Sequence, residues 1–248
     1  MPKAKAAAIR ALELDETLAE AHVSLGRVMA AYDWDWTSAE KEYKRAIELN
    51  PNFADAHAFY ADYLDLMAGD HGRAAQKERE LAQQLDPKHD RFGPASLPLD
   101  SPLDQQREYV DEREPNNFLL RALLGKNYQQ AGKYKEAVEQ YMKLTKLLGY
   151  PERTKILQRG YARGNYKGAI RDWMKAYLTP SKGQDLPRFF AAWLYANLGD
   201  NDQAFALLEE AYQQHDGVVV YLKSDPIWDP IRSDPRFKEL IRRVGLPP

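Results

Sequence analysis

The 248 residues carry 35 Lys+Arg against 37 Asp+Glu, are 44% hydrophobic and contain no cysteine. Without cysteine there is no disulfide framework, thiolate metal site, iron–sulfur ligand or cysteine nucleophile, and the redox compartment stays open. A net charge of −2 argues against a general nucleic-acid binder. No window approaches the roughly 18 consecutive apolar residues of a membrane span, and the start lacks the apolar region of a signal peptide, so a cytoplasmic chain is expected.

The charge is uneven: residues 1 to 90 hold 17 Asp+Glu against 11 Lys+Arg, while residues 149 to 248 hold 12 against 15. An internal period organises the chain. A small residue opening an amphipathic helix, with Pro or a substitute twelve positions later, recurs at Ala4, Ala39, Ala75, Ala137, Ala169 and Ala204, with Leu103 as a degenerate member. The separations are 35, 36, 28, 34, 32 and 35 residues, centred on the roughly 34 residues of a helix–turn–helix solenoid.

In chain order, Ala4 to Leu14 matches only the second helix of such a unit, which suggests a cut chain or an unpaired first cap. Leu25-Gly26 with Ala39, Tyr43, Ala46 and Pro51 makes one unit, and Ala54 to Pro87 a second. From Lys88 to Ser101, Gly93-Pro94 and Pro98, followed by Pro102, forbid a full helix, because each interior proline costs on the order of 3 kcal/mol. An irregular connection over 88–102 is therefore predicted between an N-terminal half, 1–87, and a C-terminal half, 103–216. Phe118 to Tyr141, then Tyr161 to Leu178 and Phe189 to Tyr212, read as three further helical hairpins, the last two turning at Gly164-Asn165-Tyr166 and Gly199-Asp200-Asn201. The segment 217–248 reads as a cap. Pro235 suits the first turn of a helix from about Asp234, Phe237, Leu240, Ile241 and Val244 form its apolar stripe, and Gly245 stops it.

Leu124-Gly125, Tyr128, Gly132, Tyr134, Ala137 and Tyr141 fall where the tetratricopeptide repeat places its Leu-Gly, Tyr, Gly, Tyr, Ala and aromatic residue, and the chain resembles that family. The spacing has its own physical sense: Gly125 and Ala137 let two antiparallel helices approach, the tyrosines fill the angle between them, and Gly132 frees the turn. The resemblance implies an all-α, tetratricopeptide-like α-solenoid, a right-handed superhelix of antiparallel helix pairs ending in a C-terminal capping helix. It implies a non-catalytic scaffold that binds a protein or peptide in its concave groove, with no cofactor and no metal. The inner positions map onto Glu20, Val23 and Arg27; onto Asp55, Ala58, Asp62 and Asp65; and onto Leu119, Ala122, Lys126, Gln129 and Gln130. The middle set is acidic, favouring a basic or mixed-charge partner, and departs from the Lys, Asn and Arg clamp of chaperone-binding arrays.

The C-terminal segment and the turn Tyr32 to Trp36 also resemble arrays in multidomain bacterial signalling proteins. That implies an alternative role as the regulatory or sensory tail of a larger enzyme or transcription regulator. Homo-oligomerisation through Ala8, Ile9, Ala11 and Leu12 of the first helix is a further alternative. Trp34 and Trp36 are candidate aromatic anchors for a partner. His22 and His57 occupy equivalent positions 35 residues apart and read as packing residues. His71 and His89 fall in predicted turns and His215 at a helix end. No His-x3-His spacing, GxSxG, Walker loop or GxGxxG after a strand points to catalysis. Lys155, Arg159, Arg163, Lys167, Arg171 and Lys175 recur every fourth residue, a basic stripe that the turn at Gly164 breaks in two.

Overall fold

A computed structural model describes residues 1–68, 73–87, 101–178 and 188–247. Among the described residues there is no strand and there are thirteen α-helices: α1 (Pro2–Leu14), α2 (Ala19–Val28), α3 (Trp36–Leu49), α4 (Ala54–Ala68), α5 (Arg73–Leu85), α6 (Leu103–Glu112), α7 (Phe118–Gln130), α8 (Tyr134–Leu147), α9 (Thr154–Ala162), α10 (Tyr166–Leu178), α11 (Arg188–Leu198), α12 (Asn201–Gln213) and α13 (Pro235–Val244). Of the expected hairpins, α2 on α3, α4 on α5, α7 on α8 and α9 on α10 are present, and α1 packs on α2. His71, His89 and the predicted connection as far as Asp100 lie outside the described residues.

The helices gather into two compact units, one formed by Met1–Arg91 together with Gly199–Pro248, the other by Phe92–Leu198. This differs from a division into halves at 1–87 and 103–216, because α12 and the cap group with the N-terminal helices. The reason lies in the turn after α2, described below, which binds the C-terminal segment.

In the first unit, Ala19 and Val23 of α2 pack on Ala46 and Ala56, flanked by Ile47, Leu49, Phe53 and Phe59. Ala30, Ala39, Tyr43 and Tyr63 form a second cluster with Trp36 at its margin. Small residues at the helix crossings bring backbones close, and aromatic rings fill the wedges beside them. In the second unit Tyr141 stacks on Trp173 at 5.2 Å, and Tyr177 meets Trp173 edge-on at 5.3 Å. The Tyr141 ring lies over Gly125, where an added Cβ would come within 2.4 Å of it. The short separation inferred from Gly125 is thus present, set by tyrosine against glycine.

The cap keeps the period. Arg236 pairs with Asp202 at 2.8 Å and Arg243 with both carboxylate oxygens of Glu209 at 2.7 and 2.8 Å, each partner 34 residues away. Helix α13 therefore stands to α12 as one repeat's second helix to the next. The first helix of that last unit is replaced by two 3₁₀ turns, Gly217–Tyr221 and Pro226–Ile231. Three consecutive valines and two prolines resist a regular helix there. The Asp216, Asp225 and Asp234 side chains accept from the backbone N–H of Val218, Ile227 and Arg236 and start each element. Phe237, Leu240 and Val244 are buried as the stripe predicted, Ile241 only half so, and Gly245 ends α13 at φ 75°.

Burial of phenols gives the fold a dependence on alkali. Desolvation pushes Tyr63 and Tyr177 up to about 12, and raises Tyr141 and Tyr166 as well. An unfolded tyrosine ionises near 10, so between pH 10 and 12 the unfolded chain releases protons that the folded chain retains. Stability from this source is complete below pH 10 and is lost as the pH rises towards 12. Urea unfolding at pH 9 and pH 11 is expected to show that fall, and Tyr63→Phe with Tyr177→Phe to reduce it. An equal fall in the double variant would place its origin elsewhere.

Candidate interaction surface

Three first helices are fixed by the same polar clasp. His22 on α2 has Nδ1 2.6 Å from Glu42 Oε2 and Nε2 3.1 Å from the Glu16 carbonyl. His57 on α4 has Nδ1 2.6 Å from Glu78 Oε2 and Nε2 2.9 Å from the Pro51 carbonyl. Arg121 on α7 donates to Gln140 Oε1 at 3.0 Å and to the Pro115 carbonyl at 3.2 Å. In each case the side chain joins the carbonyl six residues earlier to the residue three places after the anchoring alanine of the second helix. The two histidines are packing residues, as expected, and also polar links between helices, each hydrogen bond contributing on the order of 1 kcal/mol. The sequence signal is the coupled set His, His, Arg with Glu, Glu, Gln, visible only when both helices of each unit are aligned.

The inner positions assigned from the sequence divide by exposure. On α2, Glu20 and Arg27 are exposed, and the Arg27 guanidinium lies 4.1 Å from the Phe59 ring of α4. On α4, which packs on α2, Asp55, Asp62 and Asp65 are half-buried, and Asp65 pairs with Arg79 of α5. Val23 and Ala58, at the same inner positions, are buried, Val23 in the core cluster of α2 and α4. They correct the expectation of an open surface there: close helix packing takes the small and apolar side chains into the interior and leaves the charged ones at the margin. The α7 set belongs to the other unit. Ala122 and Gln129 are buried, Lys126 is half-buried and Gln130 is exposed; the Leu119 side chain lies outside the described residues. Of the apolar residues proposed for self-association, Ala8 is buried, Ala11 and Leu12 are half-buried, and only Ile9, at 41%, is exposed.

The two candidate anchors engage the chain's own C-terminal segment. Trp34 has φ 56° and takes the place that Gly132, Gly164 and Gly199 hold in three later turns, at φ 72°, 71° and 82°. Helix α2 runs into it through a π-helical turn, Met29–Asp33. The Trp34 ring stacks on Tyr212 at 4.8 Å and on His215 at 4.5 Å. His215 is the other non-glycine residue of positive φ among the described residues, at 51°, and its Nδ1 lies 2.6 Å from the Tyr32 carbonyl. Trp36 donates from Nε1 to the Val244 carbonyl at 3.0 Å, beside Gly245. Both rings are half-buried by these contacts.

In the second unit, the tips of the α7–α8 and α9–α10 hairpins and the end of α11 enclose an open cleft of about 650 Å³. Tyr134, 46% exposed, lies 4.5 Å from the Tyr166 ring, and the Tyr166 hydroxyl donates to Gln129 Oε1 at 2.6 Å. The same oxygen accepts from Tyr141 at 3.1 Å, so a buried amide fixes the floor of the cleft. Lys167, Asn165, Gln130 and Asn197 complete its polar lining. Among the described residues no group of three or more His, Asp or Glu is placed to hold a metal ion, and no helix is long and apolar enough to cross a membrane.

Antiparallel helix pairs at a period near 34 residues, closed by glycine against tyrosine, define a helical-repeat protein whose broad surfaces suit binding of other proteins. Residues 120–147, from Leu120 in α7 to the end of α8, match the tetratricopeptide repeat family. No curated protein matches the chain.

Proposed function

We propose that the chain is a non-catalytic interaction module that lays an extended peptide or a partner helix along α2 and α4. The supporting observation is that these adjacent first helices keep Glu20, Arg27, Asp55, Asp62 and Asp65 at their margin while Val23 and Ala58 are buried. The carboxylates of Glu20, Asp55, Asp62 and Asp65, the last paired with Arg79, outnumber the guanidiniums of Arg27 and Arg79 and favour a basic or mixed-charge partner, and the Arg27–Phe59 contact adds a flat apolar area at the edge. The charges set selectivity and association rate, since rim charges contribute little affinity singly.

Panning a display library of twelve-residue peptides is expected to enrich Lys- and Arg-containing sequences. The variant Asp55→Ala, Asp62→Ala, Asp65→Ala is expected to bind the enriched peptides about tenfold more weakly, a change of about 1.4 kcal/mol, and with a smaller dependence on salt. Undiminished binding by the triple variant overturns the assignment of this face.

A further inference from the structure

Between Glu152 and Asp172 the chain has no acidic residue and six cations. Two are drawn into the fold: Arg153 lies 4.0 Å from the Tyr150 ring, and Arg171 is half-buried. The other four, Lys155, Arg159, Arg163 and Lys167, are exposed, and none has an ion-pair partner among the described residues. Elsewhere Arg10, Arg45, Arg107, Arg232 and Arg242 each have a carboxylate three residues away in the chain. The α9–α10 hairpin therefore carries concentrated, uncompensated positive charge.

We propose that this hairpin and the cleft beside it form a second docking surface, distinct from the α2–α4 face, that takes a short acidic segment of a protein partner. Lys155, Arg159 and Arg163 follow one another at intervals of four, which places them along one edge of α9 and its end over roughly 12 Å at 1.5 Å per residue. An extended segment of about four residues matches that length. Arg163 immediately precedes Gly164 and Asn165, which line the cleft, and Lys167 lines it from the far side of the turn. A segment running down the cationic edge thus arrives at the Tyr134–Tyr166 pair, where an apolar or aromatic side chain has a flat surface to cover, flanked by side-chain amides able to pair with peptide groups. Four cations and one aromatic pair suit a segment of six to eight residues. A nucleic acid carries its charge well beyond them, and the chain's net charge of −2 does not follow it.

Fluorescence anisotropy tests this with a labelled ten-residue peptide of Glu and Asp with one central Tyr, alongside a Lys peptide of equal length and a ten-nucleotide oligothymidylate. The acidic peptide is expected to bind most tightly, with affinity falling as salt rises. The variant K155Q, R159Q, R163Q, K167Q is expected to lose at least tenfold, and Tyr134→Ala about threefold at fixed salt. All five positions are exposed, and an unchanged circular dichroism melt verifies folding. The Asp55, Asp62, Asp65 variant is expected to bind the acidic peptide unchanged, so the two surfaces succeed or fail separately. Equal binding by the quadruple variant, or tighter binding of the oligonucleotide, overturns the proposal.

Discussion

Gly160→Ala is expected to lower stability by about 3 kcal/mol, at the upper end of overpacking costs, although alanine is the better helix former by about 1 kcal/mol. Gly160 is where α9 crosses α10. A Cβ there would stand 2.4 Å from Ala169 Cβ and 2.7 Å from its Cα. A backbone atom has no rotamer by which to retreat, so the helices must part, and with them the buried contacts of Leu157, Ile170 and Trp173. Gly168→Ala is the informative contrast: the atoms nearest its Cβ would be those of the side chain of Asn165, a turn residue at the surface. That side chain can swing away at the cost of its hydrogen bond to the Gly168 N–H. Ala169→Gly removes the nearer contact of Gly160→Ala but leaves the one with Cα, so the double variant is expected to regain only part of the loss. Urea unfolding of the three variants decides the matter, and a Gly160→Ala chain as stable as its parent would refute the crossing geometry.

The parts of this fold that spacing could reveal are those in which two positions of one repeat meet. Gly125 under Tyr141 and Gly26 under Tyr43 follow from the period alone, because a glycine and an aromatic residue at fixed places in a helix pair have no alternative neighbours. The clasps of His22 and His57 were legible only as packing and that of Arg121 not at all, since their partners lie on another helix and in the preceding turn. The burial of the inner positions Val23, Ala58, Ala122 and Gln129 was not legible for a related reason. A repeat pattern specifies which way a side chain points, but burial depends on how closely the next helix sits. The basic stripe was visible as a spacing, and the exposure of Lys155, Arg159, Arg163 and Lys167, with no ion-pair partner among the described residues, depended on where α9 and α10 turn their faces. Trp34 illustrates the hardest case. Nothing about a tryptophan advertises positive φ, and only the alignment of Trp34-Asp35-Trp36 with Gly132-Lys133-Tyr134 places it at a glycine's position.

That position makes the effect of Trp34→Gly a contest of opposing terms, expected to resolve as a destabilisation of about 2 kcal/mol. Glycine removes the cost of a left-handed backbone, roughly 1–2 kcal/mol for a residue with a Cβ. Against this, the chain loses stacking on Tyr212 and His215, about 0.5–1.5 kcal/mol for each ring pair, and the burial of much of an indole, where truncating a large aromatic costs about 3–5 kcal/mol in a full core. The second sum is larger, because the ring lies between two partners while the backbone strain is confined to one residue. Its indole N–H is buried with no acceptor among the described residues, so the faces of the ring, and not its nitrogen, carry the contact. Trp36 is the reverse: Trp36→Phe keeps a ring but strands the Val244 carbonyl at the end of α13, for about 1 kcal/mol. Amide hydrogen exchange separates the two, with Trp34→Gly expected to expose residues 215–221 and Trp36→Phe the last turn of α13. If Trp34→Gly raised stability, the stack would be too weak to hold the C-terminal segment to the turn after α2, and the grouping of α12 and α13 with the N-terminal helices would need another cause.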